Sequence, residues 1–435
     1  MRRPLLTAAL ALCGMTTAAA QVAPEQARAT AGRLLDHLDR GEYAQGEAML
    51  DAKMRQAVPA AVLEQLWRSL PAAGARGEAR LDLDGTTRIV RIPLNRGAAK
   101  LDATIAVDSE GRVSGLLLRP AQPAIPPPPA VPVDAAYAET ETRVGTGERA
   151  LPATLAMPKG RGPFPAVVLV HGSGPNDRDE TIGPNRPFLD IARGLAAQGI
   201  AVLRYDKRTK ARPQDYAEGR ISIDSETTDD ALLAVQALRA TPGVDPRRVF
   251  VLGHSQGGMM APRIGLRDPR IAGLILFAAP ARNLLDILLE QNDRLLAMQG
   301  QLRTPAGIAH MRTLQAQIDA LRGHGDIADT GTPLNLPAAY WRSVDAVDPV
   351  AEARRSRQPL LILHNQHDIQ VVDADWQAWR RAFAGDRRAT LKAFPTLNHL
   401  GMPSAANAGL DSYQTPAKVD PDVIDSVARW IRSRR

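Results

Sequence analysis

The sequence predicts two folded parts: a small α+β domain, then an α/β domain with a doubly wound, mostly parallel sheet and a helical cap. Three observations support this fold class. From residue 166 onward, short apolar runs of strand type alternate with amphipathic helices, which is typical of a parallel sheet covered on both faces. Residues 22–118 read as helices followed by alternating strands. A proline-rich stretch separates the two patterns.

Composition sets broad limits on function. The 435 residues are 44% hydrophobic and 23% charged, with a formal net charge of +7, and this is typical of a globular chain rather than a disordered one. The cations are interspersed with acids and only 4% of residues are aromatic, so no nucleic-acid site is expected. A single cysteine excludes a disulfide framework within the chain and a cysteine-based zinc or iron–sulfur site.

The first residues predict a signal peptide. Arg2 and Arg3 precede a short apolar run, and three alanines follow at 18–20, which is the arrangement that a signal peptidase reads. We therefore expect residues 1–20, with the lone Cys13, to be removed, and the protein to be periplasmic or secreted. The apolar run is too short to span a bilayer, and no later segment is long and apolar enough, so no stable membrane insertion is expected.

Residues 22–118 predict a small α+β domain. Apolar residues at helical spacing mark three short helices, and alternating apolar residues after Gly77 mark strands. The run Leu38–Tyr43 resembles the NTF2-like domains of unknown function in some exported bacterial proteins. No acid–histidine constellation occurs in this part. A packing or docking module is therefore expected rather than a second active site.

A linker is predicted over residues 119–134. Seven prolines fall between Pro120 and Pro132, and such a segment favours extended polyproline II structure. The linker leaves residues 135–435 as the second domain.

The second domain shows a regular alternation interrupted once. Strands are predicted at 166–170, 200–205, 249–252, 271–277, 360–363 and 390–394, with helices near 187–197, 224–240, 256–266 and 423–431. Between about 280 and 345 no strand pattern occurs, and leucines and isoleucines instead recur at helical spacing. This stretch predicts a helical cap over the sheet.

The motif with most chemical content is Gly253-His254-Ser255-Gln256-Gly257. It follows a predicted strand directly and precedes a predicted helix, which is the context of a nucleophile elbow. The glycines remove side chains that would collide at such a sharp turn. Ser255 is therefore the candidate nucleophile, and the amides at the start of the helix suit a developing oxyanion.

A serine nucleophile needs a base and an acid, in the chain order serine, acid, histidine. His399 lies in a loop after the last strand and is the expected base. Asp368 lies on the loop after the strand at 360–363 and is the preferred acid, with Asp373 in the same segment as the alternative. We interpret His367 as a rim or structural residue.

The oxyanion hole requires two amide donors. Gln256, the residue after the nucleophile, supplies one. The loop after the strand at 166–170 reads His171-Gly172-Ser173-Gly174-Pro175, and the Ser173 amide is the preferred second donor, with Gly172 as the alternative. His171 is interpreted as structural rather than as a base.

These motifs resemble the α/β-hydrolase superfamily of serine esterases and peptidases, over about residues 137–433. A bacterial serine carboxylesterase group is similar more narrowly, through the runs His171–Asp179, Leu203–Arg208, Gly253–Met259, Tyr340-Trp341 and Leu397–Leu400. The resemblance implies ester hydrolysis with Ser255 as nucleophile, Asp368 as acid and His399 as base, a helical cap and no cofactor. The acid loop departs from the group, which usually has a glycine after the strand.

The expected activity is two-step acyl transfer on a small-molecule ester. Two alternative functions remain open. The first is a serine aminopeptidase or oligopeptidase with the same triad, and the second is a non-catalytic envelope-binding protein. No metal-ligand spacing such as H-E-x-x-H occurs, so no metal is expected.

Tyr340 and Trp341 either line the acyl pocket or pack the cap. Arg178 and Asp179 either form an ion pair with each other or contact substrate. The sequence does not indicate the oligomeric state.

Overall fold

The computed structural model describes residues 22–84, 87–121, 126–323, 327–328, 331–406 and 408–434. The chain forms two compact units that divide between Ala124 and Ile125, within the stretch predicted as a linker. The predicted signal peptide, with Cys13, and residues 122–125 of the predicted linker lie outside the described residues.

The first unit places short helices before an antiparallel sheet. Its elements are α1 (Pro24–Asp39), α2 (Tyr43–Ala48), α3 (Ala52–Ala57), α4 (Ala60–Arg68), β1 (Ala73–Arg76), β2 (Arg80–Asp84), β3 (Thr87–Arg96), β4 (Ala99–Val107) and β5 (Val113–Pro120). The strand order is β1-β3-β4-β5, with β2 also paired to β3. The resemblance to NTF2-like domains stays a prediction.

One detail of this unit differs from the sequence prediction. The apolar residues near 49–54 predict a single helix, but α2 and α3 are separate. Leu50 forms an isolated bridge with Val113, and the Asp51 carboxylate caps α3 by accepting from the Met54 amide at 2.6 Å. The pairing of Leu50 with the sheet edge therefore interrupts the helix.

The second unit is built on an eight-stranded sheet. Its strands are β6 (Tyr137–Val144), β7 (Leu151–Pro158), β8 (Phe164–Val170), β9 (Ala201–Tyr205), β10 (Val244–His254), β11 (Leu274–Phe277), β12 (Leu360–Asn365) and β13 (Ala389–Phe394). The order is β13-β12-β11-β10-β8-β9-β7-β6. All pairs from β13 to β9 are parallel, whereas β7 pairs antiparallel with β9 and β6. The predicted doubly wound, mostly parallel sheet is confirmed.

Helices cover both faces of this sheet because alternate strand residues point to opposite sides. In β8, Val167 and Leu169 belong to one buried cluster, and Val168 and Val170 belong to the other. The helices are α5 (Pro187–Ala196), α6 (Arg208–Ala211), α7 (Asp229–Arg239), α8 (Gln256–Arg267), α9 (Leu284–Met298), α10 (Pro305–Arg322), α11 (Ala338–Asp345), α12 (Pro349–Arg355), α13 (Asp373–Ala382) and α14 (Pro421–Arg432).

A π-helical segment precedes α7. The sequence predicts one continuous helix over 224–240, but Asp224–Thr228 is π-helical and α7 begins only at Asp229. A π turn contains an extra residue, and such turns occur often at functional sites. Glu226, Thr227 and Thr228 are all buried here.

The cap consists of α9, α10 and α11, which occupy the stretch predicted for it. Apolar residues of these helices pack on Met259 and Met260 of α8 in one buried cluster. The cap therefore rests on the helix that begins at Ser255. Among the helices of the described residues, none is both long enough and apolar enough to cross a membrane.

Candidate active site

Ser255 stands at a strained turn between β10 and α8. Its φ and ψ are 53° and −121°, a conformation that is rare for a residue with a side chain and that is held only by strong surroundings. A Cβ on Gly257 would lie 2.2 Å from the Val170 carbonyl oxygen, and one on Gly253 would lie 2.1 Å from the Gly257 oxygen. Only glycine fits at these two positions, so the motif forms the elbow expected from the sequence.

Asp368 and His399 are in direct contact. His399 Nδ1 donates to Asp368 Oδ2 at 2.7 Å, and both side chains are buried. The other carboxylate oxygen, Oδ1, accepts from the amides of Gln370 at 2.7 Å and Val371 at 3.0 Å. Asp368 is therefore fixed as an acceptor toward His399. The alternative acid, Asp373, is exposed at the start of α13 and accepts from Gln377, so the structure does not bring it to His399.

The histidine loop is held by two asparagines. Asn365 Nδ2 donates to the Asn398 carbonyl at 2.8 Å, and Asn398 Oδ1 accepts from the Leu400 amide at 3.0 Å. Within the described part of the chain, the Ser255 hydroxyl forms no hydrogen bond with His399. Catalytic hydrogen bonds are often long in unliganded enzymes and tighten when substrate binds.

The loop predicted to complete the oxyanion hole lies against the nucleophile. A Cβ on Gly172 would stand 3.2 Å from Ser255 Cβ, which shows how closely the two backbones approach. Ser173 and Gln256 line the same cavity as Ser255. The Ser173 amide has no protein acceptor among the described residues, and the Gln256 amide is the first of α8 and has no intrahelical partner. Both donors therefore remain available to a ligand.

Gly172 is held from both sides by buried charged groups. Its amide donates to Glu180 Oε1 at 2.7 Å, and its carbonyl accepts from Lys207 Nζ at 2.8 Å. Sequence reasoning identified neither Glu180 nor Lys207. Glu180 has a positive φ of 51°, a strained backbone conformation that is consistent with a functional constraint.

Glu180 also connects this loop to the histidine loop. Its Oε2 lies 2.9 Å from His254 Nδ1, and His254 Nε2 donates to the His399 carbonyl at 2.9 Å. Burial alone would lower the pKa of His254, but the Glu180 carboxylate and the His399 carbonyl raise it above its ordinary value. Burial would likewise raise the pKa of Glu180, but His254 lowers it. Each group therefore favours the charged form of the other.

The other histidines near the site do not reach the nucleophile. His171 is buried between Phe188 and Tyr205, with ring centroids 5.1 and 5.2 Å away, and desolvation lowers its pKa to about 4. Its imidazole is therefore neutral and packs as a ring. His367 Nδ1 donates to the Ser404 carbonyl at 2.6 Å, which is a structural contact at the rim.

Tyr340 and Trp341 both line the cavity, and both are buried. The Tyr340 hydroxyl donates to Glu226 Oε2 at 2.7 Å, and Trp341 Nε1 donates to the Pro333 carbonyl at 2.8 Å. Their polar atoms are thus engaged with protein, and the Trp341 ring contributes an apolar wall. The remaining apolar lining is Pro175, Ile221, Pro280, Leu284, Leu288, Leu334 and Leu336.

The sequence leaves open whether Arg178 and Asp179 form an ion pair or contact substrate. The two side chains do not pair with each other: Arg178 binds Asp206 and Glu141, whereas Asp179 binds Arg204 at 2.7 Å. Both side chains are therefore engaged in ion pairs within the protein. The pairs lie at the β6–β7–β9 end of the sheet, away from the Ser255 cavity.

The sequence is similar to those of known hydrolases. A family model described as serine aminopeptidase, S33, matches residues 163–402. Esterase EstD of Thermotoga maritima is 32% identical over 403 residues, which cover 91% of this chain and 93% of that protein. Thiohydrolase apmlB of Arthrinium phaeospermum is 30% identical over 94 residues, or 22% of this chain and 30% of that protein.

Solved structures are more distant. An esterase of Pyrococcus furiosus is 15% identical with a TM-score of 0.45, covering 72% of this chain and 97% of its own. A puromycin-hydrolyzing peptidase of Mycobacterium tuberculosis is 17% identical with a TM-score of 0.45, covering 84% of this chain and 48% of its own.

Proposed function

Since the chain belongs to the serine aminopeptidase S33 family of α/β-hydrolases, we propose that it hydrolyses carboxylic esters by acyl transfer through Ser255, His399 and Asp368. The observation that carries the proposal is the strained Ser255, which opens into a mostly apolar cavity with free amide donors beside it. The similarity to Esterase EstD, which aligns with this chain along 93% of its own length, also supports ester hydrolysis. The substrate is accordingly a small-molecule ester.

The reaction follows from the roles of the three side chains. His399 accepts the proton of the Ser255 hydroxyl as its oxygen attacks the ester carbonyl carbon, and the alcohol leaves with that proton. Asp368 holds Nδ1 of His399, so that Nε2 is the free base and the imidazolium is stabilised. Water, activated by His399, then hydrolyses the acyl-enzyme.

The tetrahedral intermediates carry a negative oxygen that requires donors. The amides of Ser173 and Gln256 are the proposed donors, because both line the cavity beside Ser255. Removal of one such donor typically costs on the order of a hundredfold to a thousandfold in kcat.

The size and the lining of the cavity favour a short- to medium-chain acyl group. Its volume is about 470 Å³, and leucines of the cap form much of its wall. A pocket of this size and apolarity binds an alkyl chain by removing its surface from water.

The aminopeptidase alternative requires carboxylates that hold a free amino terminus. Among the described residues that line the cavity, the one carboxylate belongs to Glu226. Both of its oxygens are already engaged, one by Lys207 and the other by Tyr340 and Gln256. This arrangement favours an ester with an apolar acyl group over a peptide with a charged terminus.

Export is proposed from residues 1–20 alone. The arginine pair, the apolar run and the alanines at 18–20 support a cleaved signal peptide. Fractionation of cells that express the full chain, with amino-terminal sequencing of the product, tests this part. A product that stays in the cytoplasm with its first residues intact would contradict it.

The activity is tested with p-nitrophenyl esters of increasing chain length and with aminoacyl p-nitroanilides. We expect turnover of acetate and butyrate esters, loss of that turnover in Ser255→Ala, and labelling of Ser255 by an organophosphonate. Preferential cleavage of the anilides would support the peptidase. No turnover of any ester and no labelling would support a non-catalytic binding protein.

A further inference from the structure

A buried ion pair contacts the peptide that carries one proposed oxyanion donor and the side chain of the residue that carries the other. Lys207 Nζ lies 2.6 Å from Glu226 Oε1, and both side chains are at most 5% exposed. Lys207 follows β9, whereas Glu226 lies in the π-helical segment before α7. The catalytic steps described above use neither residue, although Glu226 reaches the cavity wall beside Ser255.

Lys207 forms the shorter of two side-chain hydrogen bonds to the carbonyl of the Gly172–Ser173 peptide. The carbonyl of Gly172 and the amide of Ser173 belong to one planar trans unit and point in opposite directions. Lys207 Nζ donates to that carbonyl at 2.8 Å and Asn176 Nδ2 donates to it at 3.2 Å, so the Ser173 N–H is directed away from Lys207. A Cβ at 172 would make a tight contact of 3.2 Å with Ser255 Cβ, and glycine by itself leaves a peptide plane free to rotate. The plane therefore needs an external hold.

Glu226 extends the hold to the second donor. Its Oε2 accepts from Gln256 Nε2 at 3.1 Å, and the neighbouring Thr227 hydroxyl accepts from the same nitrogen at 3.3 Å. The wider π turn presents these two residues side by side toward Gln256. The backbone amide of Gln256 is the other proposed oxyanion donor. Glu226 therefore contacts the side chain of the residue that carries this donor and, through Lys207, the peptide that carries the Ser173 amide.

The cap contributes to the same group. Tyr340 of α11 donates its hydroxyl to Glu226 Oε2 at 2.7 Å. Burial and the negative charge of Glu226 raise the pKa of Tyr340 well above its ordinary value, so the hydroxyl remains a donor. A cap residue thus contacts the carboxylate that holds Lys207.

We propose that Lys207 and Glu226 are positioning residues that orient the Ser173 and Gln256 amides toward the oxyanion, with Tyr340 joining the pair to the cap. This inference rests on the proposed esterase function. A buried ion pair contributes little net stability over an apolar pair of similar shape. Stability alone therefore does not explain a pair that contacts Gly172 and Gln256, the residues on either side of the proposed oxyanion site.

Three variants of the full chain separate positioning from stability: Lys207→Met, Glu226→Gln and the double variant. Each single variant leaves an unpaired buried group, which is destabilising. The double variant leaves no unpaired buried charge, so it is expected to fold with a thermal midpoint close to that of wild type. If the pair only stabilises the fold, kcat recovers in the double variant. If Lys207 orients the Ser173 amide, kcat stays low.

We expect kcat to fall by about ten- to a hundredfold in Lys207→Met and in the double variant, less than for complete loss of a donor. KM for p-nitrophenyl butyrate should change little, because ground-state binding uses the apolar wall. The inhibition constant of butylboronic acid, whose tetrahedral adduct with Ser255 mimics the intermediate, should rise in step with the fall in kcat/KM.

The matched control is Asp268→Asn, which breaks a largely buried pair with Arg239 far from the cavity. It should lower the thermal midpoint and leave kcat unchanged. A double variant with wild-type kcat and boronate inhibition would overturn the inference while Ser255→Ala remained inactive. A wild-type protein without esterase activity or Ser255 labelling would instead overturn the proposed function itself.

Discussion

Asp368 accepts a hydrogen bond of 2.7 Å from His399 Nδ1 while its second oxygen accepts two backbone amides. The carboxylate is thus fixed before substrate arrives, and it determines which nitrogen of His399 carries the proton. This relationship is local to two loops at the carboxyl ends of β12 and β13. Because Nδ1 carries the proton in this contact, Nε2 of His399, on the side of the ring away from Asp368, is the nitrogen that acts as the base.

Replacing Asp368 by asparagine should therefore inactivate the enzyme without unfolding it. The amide can hold His399 in the wrong tautomer, and an equivalent change in a serine protease lowers kcat by about 10⁴-fold. We expect kcat for p-nitrophenyl butyrate to fall by about 10³- to 10⁴-fold. The thermal midpoint of the variant should stay near that of wild type.

The matched control is Asp373→Asn on the same segment. Asp373 is exposed and bonded to Gln377, so this variant should retain wild-type kcat. If Asp373→Asn were the inactive variant and Asp368→Asn the active one, the acid would be assigned incorrectly.

A bulky residue at 288 should shorten the preferred acyl chain. Leu288 of α9 lines the cavity of about 470 Å³, and tryptophan would fill part of the space that a long chain occupies. In Leu288→Trp, kcat/KM for octanoate should fall by about tenfold or more relative to acetate, since a lost pair of methylenes is worth about 1.6 kcal/mol.

The control for this change is Ile308→Trp, at an exposed cap position that does not line the cavity. It should leave the chain-length profile unaltered. An unchanged octanoate-to-acetate ratio in Leu288→Trp would show that the acyl chain binds elsewhere.

The elbow and the two triad loops follow from local sequence. A strand, a glycine, a serine, a second glycine and a helix occur within a dozen residues, so the geometry around Ser255 is encoded where it forms. The loops that carry Asp368 and His399 come directly after strongly apolar strands, and parallel strands end at one edge of the sheet. A chain order of serine, acid and histidine then brings them to one site.

Other parts of the site depend on contacts that no local pattern records. Tyr340 meets Glu226 across 114 residues, and the π turn that presents Glu226 has no signature in a 3.6-residue periodicity. Arg178 and Asp179 are adjacent in sequence but find different partners on neighbouring strands. The edge strand β6 was not predicted because most of its residues are exposed and polar, so it lacks alternating apolar residues.

His171 should contribute to acid sensitivity rather than to catalysis. Its pKa is about 4 in the folded protein against an ordinary 6.5, so the unfolded chain binds the proton more readily. The contribution of neutral His171 to the free energy of unfolding is therefore fully present above about pH 6.5. It is lost as pH falls toward 4, by about 3 kcal/mol in total.

His171→Phe tests this point, because phenylalanine keeps the ring packing against Phe188 and Tyr205. The variant should retain kcat within about threefold, since packing changes that conserve volume are usually tolerated. Urea denaturation between about pH 4 and 7 should show a shallower decline in unfolding free energy than wild type. A loss of kcat comparable to that of Asp368→Asn would contradict the structural interpretation of His171.

The Glu180–His254 pair should stabilise the protein within a defined pH window. The pKa of His254 is raised, so its contribution is complete below about pH 6.5 and is lost as pH rises through the raised value. The pKa of Glu180 is lowered, so its contribution is present above about pH 4.5 and is lost as pH falls through the lowered value. The pair is therefore most stabilising between these two limits.

Glu180→Gln should consequently destabilise the protein by on the order of 3–5 kcal/mol near pH 6, with a smaller deficit above the raised pKa of His254, where the imidazole is neutral in both proteins. Urea denaturation from about pH 5 to 9 measures the difference. Glu352→Gln is the control, because its partner Arg263 stays charged throughout this range, and its deficit should not vary with pH. A deficit in Glu180→Gln that is equally independent of pH would mean that His254 is not the charged partner, and that Glu180 acts only through its bond to the Gly172 amide.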